Sequence, residues 1–382
     1  MSTDSKFEPW FVTEKRANLG EDANPLFLRG SAVGDVLGVF DGMGGAGSIL
    51  VPDENEVDKC SMAHLASEWA KRAAASIFNQ WGKEELSNLK TQIEAAITEK
   101  LLYLTTRPGG KGPEGKLRGT MLSMYPTTVA LAVVRPMKDE LRQRQLKVLW
   151  AGDSRIYALD FSEKIPLQQL TRDHTQSGDG GDGALSRFAS ADGLELEESD
   201  FNLPPSAAVI AMTDGCYGYM SPFRLLYTLV KHLVRSRDEE DWIGRIKKDI
   251  SAAAGDDTSF AISFGEGGFE ECRKQAEKSL DSLEQVAHIQ ELSPPNPYIV
   301  PFEDSAYLKL LINHETRRQN ASVGTNAGTD IESASSTLTL ADHAVPAPSV
   351  TEPGSSVFSA PSNTGGGKEE SSDTFPKDEL KD

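Results

Sequence analysis

The sequence predicts an α+β fold of mainly antiparallel sheets flanked by helices, and two observations carry that reading. Apolar runs of strand length recur through the first two thirds of the chain, at Leu26–Leu28, Val36–Phe40, Thr127–Val134, Lys147–Trp150, Arg155–Leu159, Val209–Thr213 and Ser259–Phe264. Helical patterns fall between them in pairs and not singly, which disfavours strict βαβ alternation. The first pair begins where Met62, Leu65, Trp69, Ala73 and Ile77 share one apolar face at spacings of three and four. Leu86, Leu89, Ile93, Ile97, Leu101 and Leu104 repeat that pattern in the next segment. The second pair is Phe223–Arg235 and Asp241–Ser251, the latter with acidic residues ahead of its start. A last strand closes the pattern near Phe264.

Beyond Gly267 the character of the chain changes. Phe269–Leu292 is charged and reads as an isolated surface helix, ended by Ser293-Pro294-Pro295-Asn296-Pro297. After Gln319, Ser, Thr, Ala, Gly and Pro dominate, and acidic residues outnumber lysines. Such a segment cannot bury enough apolar surface to offset chain entropy, so a disordered acidic C-terminal tail is expected. The resulting division is a domain at 5–265, a helical or irregular extension at 266–318 and a low-complexity tail at 319–382, the last a candidate surface for a protein partner.

Composition narrows the function. The 382 residues include 58 acidic and 39 basic side chains, for a formal charge of -19. That field repels phosphate backbones and anionic membrane surfaces, so neither nucleic acid nor membrane is expected as a partner. Three scattered cysteines, Cys60, Cys216 and Cys272, offer no disulfide framework and no Cys-x-x-Cys knuckle. Met1–Phe11 lacks the basic and apolar regions of a secretory signal, and no run approaches the length of a spanning helix. A cytoplasmic protein is the expectation. Lys377-Asp378-Glu379-Leu380 is followed by Lys381-Asp382 and reads as ordinary acidic tail, not as a retention address.

The chemistry is carried by carboxylates at strand ends. In Gly38-Val39-Phe40-Asp41-Gly42-Met43-Gly44-Gly45 an apolar strand stops at an acid, and glycines then allow a sharp turn or close approach to a ligand. By itself an Asp-Gly after a strand is most often a turn. Here the pattern recurs: Val209 to Gly215 ends in Thr213-Asp214-Gly215, Asp256-Asp257 opens the strand at Thr258, and Asp153 lies between two strands. Acids repeated at strand ends suit a site on one edge of a sheet, and a few aspartates plus one backbone carbonyl suffice for Mg²⁺ or Mn²⁺, which retain several waters. The six histidines are scattered, and neither a His-Glu-x-x-His motif nor a phosphate loop ending in Gly-Lys-Ser/Thr is present. Pro108 to Pro113 reads as a flexible loop.

Taken in order, these motifs resemble the metal-dependent protein phosphatases of the protein phosphatase 2C-like family, in their bacterial form. The resemblance runs over about residues 10–264. It rests on Arg16 with Glu21-Asp22, Asp41-Gly42-Met43-Gly44-Gly45, Thr127-Thr128-Val129, Gly152-Asp153-Ser154-Arg155, Leu170 to Thr175, Thr213-Asp214-Gly215 and Asp256-Asp257-Thr258-Ser259. It implies a four-layer αββα sandwich and hydrolysis of phosphoserine or phosphothreonine in a phosphorylated protein substrate. By the same resemblance Asp41 bridges two Mn²⁺ or Mg²⁺ ions, the Gly42 carbonyl binds one, and Asp214 and Asp256 hold the other. Glu21 and Asp22 act through metal-bound waters, and Asp153 with Asp214 marks a weaker third metal. The alternative for Asp153 is a structural carboxylate holding the turn that follows it.

Two positions depart from the family pattern. Four residues separate Arg16 from Glu21, a longer spacing than is usual for the arginine that grips substrate phosphate. Met43 stands where many members carry a histidine that protonates the leaving alkoxide, although bacterial members commonly have methionine there. These departures leave room for a pseudophosphatase, a binding module without turnover, as the alternative function. Gln176 to Asp200 falls where the family places a mobile flap, and Ser48–Lys59 and Thr106–Gly119 are candidate border loops. Cys216 lacks a Cys-x5-Arg loop and reads as a packing residue.

Overall fold

A computed structural model describes residues 7–53, 55, 58–81, 86–111, 124–136, 143–163, 165–175 and 184–291. The expected tail, the Lys377 to Asp382 end and most of Thr106–Gly119 lie outside them.

One five-stranded antiparallel sheet has the order β1 (Trp10–Thr13), β12 (Thr258–Ser263), β11 (Ala208–Met212), β8 (Arg155–Leu159), β9 (Leu167–Gln169). The second has the order β10 (Glu197–Leu203), β7 (Arg144–Ala151), β6 (Val129–Pro136), β3 (Gly34–Val39), β2 (Leu26–Ser31), again antiparallel throughout. A small hairpin pairs β4 (Leu50–Pro52) with β5 (Lys59–Ser61). Helices α2 (Met62–Gln80) and α3 (Leu89–Thr106) form one pair; α5 (Pro222–Arg235) and α6 (Glu239–Ala253) form the other. Two single-turn helices, α1 (Gly44–Gly47) and α4 (Asp214–Tyr217), are the next elements after β3 and β11.

Strands without polar alternation are explained by burial on both faces. Along β11, Ala208, Ile210 and Met212 face the helical core while Val209 and Ala211 face the core between the sheets. Along β6, Val129, Leu131 and Val133 pack with α2 and α3, and Ala130, Ala132 and Val134 face the opposite sheet. Three apolar cores separate four layers, so the αββα sandwich expected from the sequence is the observed fold.

Local chemistry sets the helix starts. Ser61 caps α2 by accepting from the His64 amide, Ser221 caps α5 with Pro222 behind it, and Asp238 caps α6 ahead of Glu239, Glu240 and Asp241.

Two readings of the sequence are corrected. The charged segment after Gly267 is α7 (Gly268–Glu291), and it is not an isolated surface helix: it packs on α5, with Phe269, Cys272, Ala276 and Leu283 buried in the helical core. Its stripe escaped notice because two of the four inward residues are small. Residues 197–200, read as the end of a flap, belong to edge strand β10, whose burial alternates along Glu197–Leu203. Gln176 to Asp182 lies outside the described residues.

Register places the acids. Val39 pairs with Ala130, and Val129 with Ala151, so the ends of β3 and β7 meet the start of β6 at one end of their sheet. Arg155 pairs with Met212, and Met212 with Phe260, which gathers the start of β8, the end of β11 and the start of β12. The turn Gly152 to Ser154 joins β7 to β8 across the two sheets. Asp41, Asp153, Asp214 and Asp256 therefore all emerge at the same end of the sandwich.

Candidate active site

At that end lies a cavity of about 350 Å³. Seven carboxylates line it, those of Glu21, Asp22, Asp41, Asp153, Asp214, Asp256 and Asp257, together with Gly42, Met43, Gly44, Gly45, Thr128 and Leu185. No basic side chain is among the described residues lining it.

Each acid is aimed by its neighbours. Asp41 follows β3, where its amide donates to Thr128 Oγ1 at 3.2 Å and its carbonyl accepts from the Thr127 hydroxyl and the Thr128 amide, both at 2.8 Å. Thr128 Oγ1 is in turn 2.6 Å from Ser154 Oγ. Gly42 has no alternative residue: a Cβ there would lie 2.5 Å from the Glu21 carbonyl oxygen and 2.6 Å from that of Ala63. Gly215 is equally confined, since a Cβ would fall 1.7 Å from the Asp257 carbonyl oxygen. These two glycines let the backbones carrying Asp41 and Asp214 close on the segments beside them.

Asp22 is buried and accepts a 2.8 Å bond from Thr213 Oγ1, which itself accepts from the Ser259 amide. Glu21 is held by its backbone: its carbonyl accepts from Ser67 Oγ at 2.6 Å, and its amide donates to Asp257 Oδ2 at 2.6 Å. Asp257 Oδ1 takes the Lys15 amide at 2.6 Å, so one carboxylate ties both ends of the 15–21 loop. The sequence reading assigned Asp256 and passed over Asp257; the adjacent acid pair was the available signal, but its partners lie more than two hundred positions away.

The acids press on one another. Loss of solvent, then the charges of Asp22, Asp214 and Asp153, hold the Asp41 carboxyl well above the ordinary range. Burial pushes Asp22 up to about 8, opposed by the Thr213 bond and assisted by Asp257 and Asp214. Asp153 rises to about 6, from burial and then from Asp214 and Asp173. Burial also raises Asp214 and Glu21, with Asp256 adding to both. Asp256 is exposed at the rim.

The cavity therefore suits a cation and repels an anion. Among the described residues no three His, Cys, Asp or Glu side chains surround one ready-made point for an ion. An all-oxygen donor set backed by mutual repulsion fits Mg²⁺ or Mn²⁺, which keep much of their water and need no dry cage.

Arg16 stands apart. It is exposed on the 15–21 loop and does not line the cavity. Met43 lines the cavity, its amide donating to the Pro126 carbonyl. Cys216 is fully buried beneath the acids, its Sγ donating to the Ser259 carbonyl, and burial keeps the thiol well above its usual range, so no thiolate is offered. His174 is no ligand: the Gly152 amide donates to its Nδ1, which leaves Nε2–H for Glu197 at 2.8 Å.

Asp153 sits on a braced turn. Tyr217 donates to its carbonyl at 2.6 Å, and the Arg155 guanidinium stacks 3.8 Å from the Tyr217 ring centroid while gripping Asp173 with two bonds of 2.9 and 2.6 Å. Arg107, in one border loop, donates to the carbonyls of Pro52 and Asp53 in the other.

No protein-family model matches the sequence, and no curated protein matches it. Solved structures do. A bacterial serine phosphatase is 16% identical, with 67% of this chain and 96% of that one aligned at a TM-score of 0.50. The serine/threonine phosphatase Stp1 from Staphylococcus aureus is 17% identical over 67% of this chain and 93% of its own, at a TM-score of 0.49. At such identity the likeness is one of fold, and the fold is the protein phosphatase 2C-like one. Among the described residues no helix is long and apolar enough to cross a membrane.

Proposed function

We propose that this chain hydrolyses phosphoserine and phosphothreonine esters in proteins and depends on Mn²⁺ or Mg²⁺ to do so. One observation carries the reading: seven carboxylates line a single cavity with no basic side chain among the described residues that line it, so a phosphate dianion would be held there beside bound cations. Asp41, the Gly42 carbonyl, Asp214 and Asp256 would hold two ions, Glu21 and Asp22 would act through water, and Asp153 would serve a third. When bound, such ions offset phosphoryl charge and bring the pKa of water towards neutrality.

The chain's own part is positioning. Thr128 and Thr213 fix the Asp41 backbone and the Asp22 side chain, so the acids are oriented before any ion or substrate arrives. Asp257 closes the loop that presents Glu21 on one side and exposes Arg16 on the other, where the guanidinium is free to meet a substrate phosphate. Neither Cys216 nor Met43 offers a nucleophile or a transferable proton, which agrees with direct attack by water and no covalent intermediate.

The test is phosphate release from a phosphothreonine peptide with Mn²⁺ and with chelator, for wild type and Asp214→Ala, beside calorimetric titration with Mn²⁺. Metal-dependent turnover and heat, both removed by the substitution, are expected. Turnover that persists in chelator sinks the metal-dependent reading; metal binding without turnover on any phosphopeptide leaves the pseudophosphatase.

A further inference from the structure

The reading above leaves open what surrounds the phosphorylated residue. Two exposed apolar side chains bear on it. Tyr219, 51% exposed, follows the helical turn that Asp214 begins. Its ring lies directly over Gly255, where a Cβ would stand 2.2 Å from Cε1 and 2.5 Å from Cζ. Gly255 immediately precedes Asp256 of the cavity rim, and the charges of Asp256 and Asp214 both reach the Tyr219 hydroxyl.

Leu19, 64% exposed, projects from the 15–21 loop. That loop is fastened to the same segment, by Asp257 at both its ends and by Lys15 Nζ donating to the Ala254 carbonyl at 2.7 Å. Exposed apolar residues scattered singly need no explanation. Two that are anchored to one four-residue segment, residues 254–257, at the lip of a polar cavity are a different matter. Burial on a partner would recover the area each now leaves in water.

We propose that Tyr219, with Leu19, contacts an apolar side chain next to the phosphorylated residue of the substrate polypeptide, and so selects substrates by their flanking sequence. The occupant follows from position and charge. A substrate whose phosphate enters the cavity must lay its neighbouring residues across the rim. Acidic neighbours meet seven carboxylates and a net charge of -19, whereas an apolar neighbour finds the aromatic face of Tyr219. This inference rests on the phosphatase reading, and the experiment separates the two.

Phosphothreonine decapeptides carrying leucine, glycine or glutamate on both sides of the phosphoresidue are compared with a small aryl phosphate, in Mn²⁺. Wild type should prefer the leucine peptide to the glutamate peptide. In Tyr219→Ala the ratio of kcat/KM for the leucine peptide to that for the aryl phosphate should fall about tenfold, mostly in KM. Tyr219→Phe should restore it, and Leu19→Ser should lower it roughly threefold. Affinity for the leucine peptide with a non-hydrolysable phosphonate, read by fluorescence anisotropy, should fall in parallel. Peptide and aryl phosphate losing turnover equally in Tyr219→Ala, or no leucine preference in wild type, overturns the proposal. If wild type hydrolyses nothing, the phosphatase reading fails, and the phosphonate affinities alone then decide whether Tyr219 selects the flank.

Discussion

Two groups of acids stand at the same end of the sandwich and are treated oppositely by the fold. Asp173 is locked to Arg155 through two bonds, with side-chain exposures of only 11% and 18%, and Glu197 meets His174. In the cavity, Asp22, Asp41 and Asp214 have no ion-pair partner among the described residues, and burial with the charges of neighbouring acids drives their carboxyls upward. The paired acids spend their charge on structure. The unpaired ones hold a repulsion that an internal base would have removed, and on the proposed reading that repulsion would favour an external cation. Asp153 belongs to both groups: its side chain lines the cavity while its backbone rests on the Arg155–Tyr217 brace.

If that contrast is right, neutralising an unpaired acid should harm function and help stability. Asp41→Asn is expected to reduce metal-dependent phosphate release by at least about a hundredfold. In chelator it should melt a few degrees above wild type, about 2–4 °C for each kcal/mol of repulsion removed. The rise in melting temperature that Mn²⁺ gives wild type should disappear. Calorimetry in both conditions checks this, and a metal-free variant less stable than wild type would remove the repulsion argument.

The paired group should behave in reverse. Arg155→Met leaves Asp173 without its counter-charge in a confined place, at an expected cost on the order of 3 kcal/mol in urea denaturation. Adding Asp173→Leu should recover much of it. If the single variant unfolds at the wild-type midpoint, Arg155 is not a brace.

A smaller effect is expected where one acid serves both purposes. Asp257→Asn keeps an acceptor for one of its two loop amides and loses the other, costing roughly 1–2 kcal/mol. Because that loop carries Glu21 and Arg16, KM for a phosphopeptide should rise more than kcat falls, and steady-state kinetics at saturating Mn²⁺ would show it. Smallest of all, Glu197→Gln touches a 44% exposed carboxylate, and its melting temperature should stay within about a degree or two of wild type. A larger drop would place His174 and Glu197 among the essential supports of the Gly152 turn.

Much of the fold was legible in residue pattern. Strands such as β11 and β6 are apolar on successive residues because both faces are covered, and the helix pairs show their stripes. Edge strands were harder. β10 carries Glu197, Glu198 and Asp200 and forms only because β7 lies beside it, with Lys147 within 3.4 Å of Glu198 and 3.0 Å of Asp200. The inward face of α7 is drawn with Cys272 and Ala276 as well as Phe269 and Leu283, too faint a stripe to distinguish docking from solvation.

The sequence by itself determined that acids stop the strands: Asp41, Asp214 and Asp256 are written beside apolar runs, and local periodicity is enough to put them at strand ends. Which carboxylates face an empty charge and which are neutralised was decided only by tertiary structure. Asp173 and Asp22 are the same residue type, and neither has its bonding partner beside it in the chain. Arg155 reaches one across 18 positions, and the other is left to Thr213, 191 positions away. Charge pairing acts through space over a few ångströms, and no spacing along the chain encodes it.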